Sequence, residues 1–153
     1  MHSRRAEEER ITNLRSNHTF DVPQNQVIVA VENCLVELTP ESWYDIGCVH
    51  LDDPLTGTKL TTFTQATPVP NEIINRLKFE TPSSYKFADS GFSMTVGRAM
   101  AERLDVSHEQ WHEAHAGVGR PSLIYLATSS LAHLYKNRIF FKRPPSAIPT
   151  SNV

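Results

Sequence analysis

Two imidazoles and a carboxylate fall at metal-site spacing in His108-Glu109-Gln110-Trp111-His112. On a helix, positions 108 and 112 stand one turn apart, so both rings can close on one zinc ion, with Glu109 placed to take a proton from a metal-bound water. That chemistry is hydrolysis. His115 cannot complete the set, because seven residues of helix separate it from His108 by about 10 Å against ligand bonds of about 2 Å. A third ligand has to come from His50 or His133. Seven histidines in the chain make a chance match a serious competitor. The plainer expectation is a helix that buries Trp111 and Ala114 and leaves its histidines partly exposed.

The string resembles the zincin motif, which implies zinc held by His108 and His112 with Glu109 as base. It departs from that pattern at Glu113, where an uncharged residue is usual, and at His115 and Val118, where the extended form has Gly and His. The wider segment 97–116 resembles a helix-turn-helix. Met100, Leu104, Val106, Trp111 and Ala114 occupy its apolar positions, and Ala101 the small one where the two helices touch. Asp105 stands where that family usually has Gly, and Asp enters the left-handed region more readily than most residues. The resemblance implies DNA binding, with Ser107, His108, Glu109, Gln110 and His112 facing base edges in the major groove. Charge opposes it: Glu102, Asp105, Glu109 and Glu113 balance Arg98, Arg103, Arg120 and Lys136, leaving no surplus for phosphates. Val96–Leu104 also resembles a middle helix of a death-domain bundle.

Charge is segregated along the chain. Residues 16–135 hold 14 acids and 7 bases, whereas residues 136–153 hold Lys136, Arg138, Lys142 and Arg143 and no acid. From Tyr135 to Arg143 those cations interleave with Tyr135, Phe140 and Phe141, a mixture suited to stacking on single-stranded nucleic acid or to a groove on a partner protein. The alternative is a terminal strand with Ile139 and Phe141 turned inward. Arg4, Arg5, Lys136, Arg138, Phe140, Lys142 and Arg143 are therefore the candidate partner-binding residues.

The elements that must position these groups read as follows. Residues 3–15 form a short charged helix with a thin apolar face. Val27–Val31 and Cys34–Leu38 are β-branched and apolar and read as strands, although Val27, Val31, Cys34 and Leu38 also share one helical face. Thr39-Pro40-Glu41-Ser42 reads as a helix start that Gly47 ends. Residues 48–51 and 59–64 flank the turn-rich Asp52–Gly57 and read as a hairpin. Residues 71–79 read as a short amphipathic helix, and 80–92 as a loop. Ser107 and Gln110 read as a capping box, starting the next helix at His108. Gly117–Gly119 ends it, and Pro121 opens a core helix with Ile124, Ala127, Leu131 and Leu134 on one stripe, widened by Leu123 and Leu126.

Strands followed by helices predict an α+β fold: a strand-rich part and then a bundle of three short helices in one domain over 19–143, with an arm at 1–18 and a Pro/Ser-rich tail at 144–153. No apolar run approaches membrane length. Without an export signal Cys34 and Cys48 are expected as thiols in an intracellular protein. The chain carries no phosphate-binding Gly-rich loop, no Cys-x-x-Cys pair and no nucleophile motif, so neither catalysis nor a cofactor is expected. The expectation is a non-enzymatic assembly subunit, for example of a viral or other multi-subunit structure, that self-associates or meets other proteins, with nucleic acid nearby.

Overall fold

The computed structural model describes residues 25–88 and 91–141, with side chains as far as Arg138. The expected helix at 3–15, the arm 1–18 and the tail 144–153 lie outside the described residues. Strands β1 (Ile28–Thr39), β2 (Ser42–Asp53), β3 (Thr58–Phe63) and β4 (Thr67–Val69) precede helices α1 (Asn71–Glu80), α2 (Val96–Leu104), α3 (Trp111–Ala116) and α4 (Arg120–Phe141). The fold is α+β, as the order of patterns implies. The described helices are four, and α4 is long, with 22 residues.

All strand pairings are antiparallel. β2 is the spine: it pairs with β1 along one edge, and with β3 and β4 in succession along the other. The two apolar runs at 27–38 are one continuous strand, and the helical periodicity they share is not used. Thr39–Ser42 is a turn instead of a helix start. Pro40 and Glu41 close the β1–β2 hairpin, Glu41 takes φ 62°, and its N–H is held by Glu37 Oε1 at 2.8 Å. Proline suits the second position of a tight turn as well as the first of a helix, and the long β-branched runs on either side decide between them. Gly47 therefore lies mid-strand. A Cβ there would meet Thr64 Cγ2 at 2.8 Å, and Thr64 is bonded to the Gly47 backbone in both directions.

Along β2 the residues that share a face are Trp43, Asp45, Gly47, Val49, Leu51 and Asp53. Helices cover this face in two groups. α1, α2 and α3 pack Ile73, Ile74, Leu77, Ala99, Met100 and Trp111 with Val69 beside Trp43. α4 lays Ala127 and Leu131 on Val49 and Leu51, and Thr62 Oγ1 donates to the Ala127 carbonyl at 3.0 Å. Two apolar clusters thus share one sheet face, and Asp45 lies between them in sequence.

α4 continues to Phe141, so the terminal-strand expectation for 138–142 is overturned where the residues are described. Its buried line is Leu123, Ala127 and Leu131, continued by half-buried Tyr135; Leu126 and Leu134 of the expected stripe stay exposed. Among the described residues no helix is long and apolar enough to cross a membrane.

Candidate functional site

α3 is short because a turn precedes it and a left-handed Gly117 follows it. α2 starts at Thr95, whose Oγ1 accepts from the Arg98 N–H, and ends at Asp105, which adopts φ 54°, ψ 49°. The N–H groups of Asp105 and Val106 both donate to the Ala101 carbonyl. Residues 107–110 form a turn, so the helix begins at Trp111 and not at His108. The Ser107 hydroxyl donates to Gln110 Oε1 at 3.0 Å, which leaves the N-terminal amides of α3 without the expected capping box. Gly117 ends α3 at φ 74°.

This start places His112 inward. It is 3% exposed, and its Nε2 lies 2.9 Å from Asp45 Oδ2. Asn33, across the β1–β2 pairing, donates Nδ2 to the same oxygen at 2.8 Å. Arg120, at the start of α4, donates Nη2 to Asn33 Oδ1 at 2.9 Å. The chain Arg120–Asn33–Asp45–His112 therefore links both helical groups to β1 and β2. The Asp45 carboxylate fixes His112 through Nε2, while His112 Nδ1 is buried and makes no hydrogen bond with the described residues. The Trp111 ring lies beside the His112 ring, centroids 3.7 Å apart. An imidazole oriented by a carboxylate, with its second nitrogen uncommitted, can exchange a proton or hold a ligand atom.

The sequence-predicted histidines separate. His108 is exposed on the turn, its Nε2 packed over Gly97, where a Cβ would come within 2.5 Å. His115 Nε2 reaches the Pro68 carbonyl at 3.0 Å, and His133 Nδ1 the Ser129 carbonyl at 2.9 Å. His50 is buried on the opposite sheet face with Nδ1 2.8 Å from Thr61 Oγ1. Positions 108 and 112 do not share a helical turn, because α3 begins between them. Among the described residues no three His, Cys, Asp or Glu side chains are grouped to hold a metal ion. The Glu109 carboxyl is held below its usual pKa by its own backbone N–H and by Ser107, which weakens it as a base.

Of the helix-turn-helix positions, Trp111, Met100 and Ala101 are buried, Leu104 and Val106 half-buried, and Ala114 is exposed. Ser107, His108, Glu109 and Gln110 are exposed while His112 is not. The cations beside them are engaged: Arg98 pairs with Glu102, and Arg103 with Glu72.

A second polar knot closes the far end of β2. Asp53, 2% exposed, accepts from the Thr56 hydroxyl at 2.5 Å, the Tyr135 hydroxyl at 2.6 Å and the Leu55 N–H at 3.0 Å. Those bonds, Thr56 first and then Tyr135, lower its pKa to about 2. Arg138 stacks over the Tyr135 ring at 3.5 Å and lies 3.8 Å from Asp53. Tyr135 and Arg138 are thus turned inward, whereas Lys136 is exposed. Arg4, Arg5, Lys142 and Arg143 and the Phe140 side chain lie outside the described residues.

Nothing in the sequence marks Asp45, Asn33 or Asp53, and Arg120 and Tyr135 stand out there only as a charge and as a ring among the C-terminal cations. Assigning 40–47 to a helix removed the alternation that aligns Asp45 and Asp53 with Val49 and Leu51. No known protein family matches the sequence, and no solved structure matches the fold.

Proposed function

We propose that this protein is an intracellular, non-enzymatic interaction subunit that self-associates through the outer side of α4. One observation carries the reading: the apolar stripe of α4 is wider than the sheet beneath it. Leu134 follows Leu131 by three residues and Ala127 by seven, an inward-facing spacing, yet it is 44% exposed. Leu126 is 63% exposed and Tyr125 also lies open. Between Arg120 and Lys136 the helix has no Asp, Glu, Lys or Arg to solvate that surface. A helix apolar on more than one side is ordinarily covered on more than one side.

Sedimentation velocity tests this. The unaltered chain should sediment above its 17.3 kDa monomer mass as concentration rises, and Leu126→Ser with Leu134→Ser should return it to monomer with unchanged circular dichroism. A monomer at every concentration in the unaltered chain refutes the reading.

The left-handed Asp105 between two helices favours a second reading, a duplex-DNA regulator using Ser107, His108 and Gln110. It requires duplex binding at low salt that weakens as salt rises; no binding at low salt removes it.

A further inference from the structure

The Arg120–Asn33–Asp45–His112 chain borders an open cleft between β1 and the α2–α3 corner, part of a space of about 1490 Å³ that continues round the β1 edge to the opposite sheet face. Trp43, Phe92 and Met94 give it apolar walls. Trp111 and Arg120 bring N–H donors that accept nothing, and Trp111 Nε1 makes no hydrogen bond with the described residues. A Cβ on Gly97 would lie 3.2 Å from Trp111 Nε1 and 2.5 Å from His108 Nε2, so both ring nitrogens converge on that bare stretch of backbone. His112 Nδ1, on a side chain 3% exposed, has no hydrogen-bond partner among the described residues. Of the two carboxylates of the lining, Asp45 is engaged by Asn33 and His112, and Glu32, next to Asn33 along β1, belongs to the opposite sheet face from Asn33 and Arg120.

Uncommitted donors beside apolar walls call for an acceptor-bearing ligand with an apolar body. We infer that the cleft binds an organic monocarboxylate: its oxygens meet Arg120 and the Trp111 N–H, and its hydrocarbon part lies against Trp43, Phe92 and Met94. Arg120 uses one N–H on Asn33, and its fork retains further donors for a carboxylate. The inference does not rest on self-association through α4, whose Leu126 and Leu134 are not part of the cleft lining.

The test titrates the unaltered full chain with octanoate, with octanol and octyltrimethylammonium as probes of equal tail length. The readout is the Trp111 indole N–H and the His112 ring resonances by NMR. Octanoate should shift both saturably, and neither other probe should do so. Arg120→Gln should weaken octanoate binding about tenfold or more, the loss expected for one charge-assisted hydrogen bond. Octanol binding as tightly as octanoate, or octanoate leaving both resonances in place, overturns the proposal. If Arg120→Gln fails to fold, the comparison of probes on the unaltered chain still decides.

Discussion

Leu131 and Leu134 stand one turn apart on α4 and should respond in opposite ways to truncation. Leu131 is 1% exposed within the Val49, Leu51 and Ala127 cluster. Leu131→Ala removes three buried carbons and leaves a cavity that a paired sheet and a 22-residue helix cannot easily close, so the cost is about 2–5 kcal/mol. Against a total stability of about 5–15 kcal/mol for a domain, that is a large fraction, and it lowers Tm by about 5–15 °C for a chain of this length. Leu134 keeps nearly half its surface in water, so Leu134→Ala costs the isolated subunit less than about 1 kcal/mol. Its effect belongs to association, where it should make Tm less dependent on protein concentration. Urea unfolding followed by circular dichroism at two protein concentrations separates the two. The reasoning fails if both substitutions cost the same at low concentration, because α4 would then bury both residues within one chain.

Three further outcomes follow from the polar positions of β2. Gly47→Ala drives a methyl into Thr64 and breaks the exchange of bonds between the two residues, and should cost about 1–3 kcal/mol by denaturant midpoint; a neutral substitution would mean the β2 centre yields. Asp53 has a folded pKa below its unfolded value of 3.8, so its contribution is complete above the unfolded value and is lost as pH falls from about 4 towards about 2. Acid unfolding should show that limb in the unaltered chain and a flatter one in Asp53→Asn; an identical slope would refute the assignment. His112→Leu leaves Asp45 buried with Asn33 alone and should cost about 1–3 kcal/mol, while Asp45→Leu with His112→Leu should recover much of that loss; additive losses would show the pair is not coupled.

The sequence made the class of fold readable because its signals were long: β-branched runs, a Pro-Leu-Thr-Gly turn at 54–57, and apolar spacing over 71–79 and along 123–131. Asp105 at the turn was also readable, since few side chains tolerate φ 54°. The Thr39-Pro40-Glu41 turn was not, because one local string serves both a helix start and a hairpin, and pairing of β1 with β2 chooses. The site was the least readable part. His112 stood in view for its spacing to His108, but its partner Asp45 is 67 residues away, and only strand register places that carboxylate beneath α3. The cations of the C-terminal segment illustrate the same limit: composition marked Arg138 as available, and Asp53 and the Tyr135 ring take it inward.

The alternation along β2 gives these polar positions a common logic. Trp43 belongs to one helical cluster and Val49 and Leu51 to another, with Asp45 and Gly47 set between them. A leucine at 45 facing a leucine at 112 would join the clusters into one core, and replacing a buried polar pair in this way is often neutral or stabilising. The Asp45–His112 pair is therefore not required for the sheet face to be covered. What it supplies is geometry: it fixes the start of α3 against β2 and, through Asn33, the start of α4 against β1, so that Trp111 and Arg120 reach the same cleft from different helices. The seam that separates the two apolar clusters is thus also what assembles the cleft, and the double change Asp45→Leu with His112→Leu should affect ligand binding more than folding.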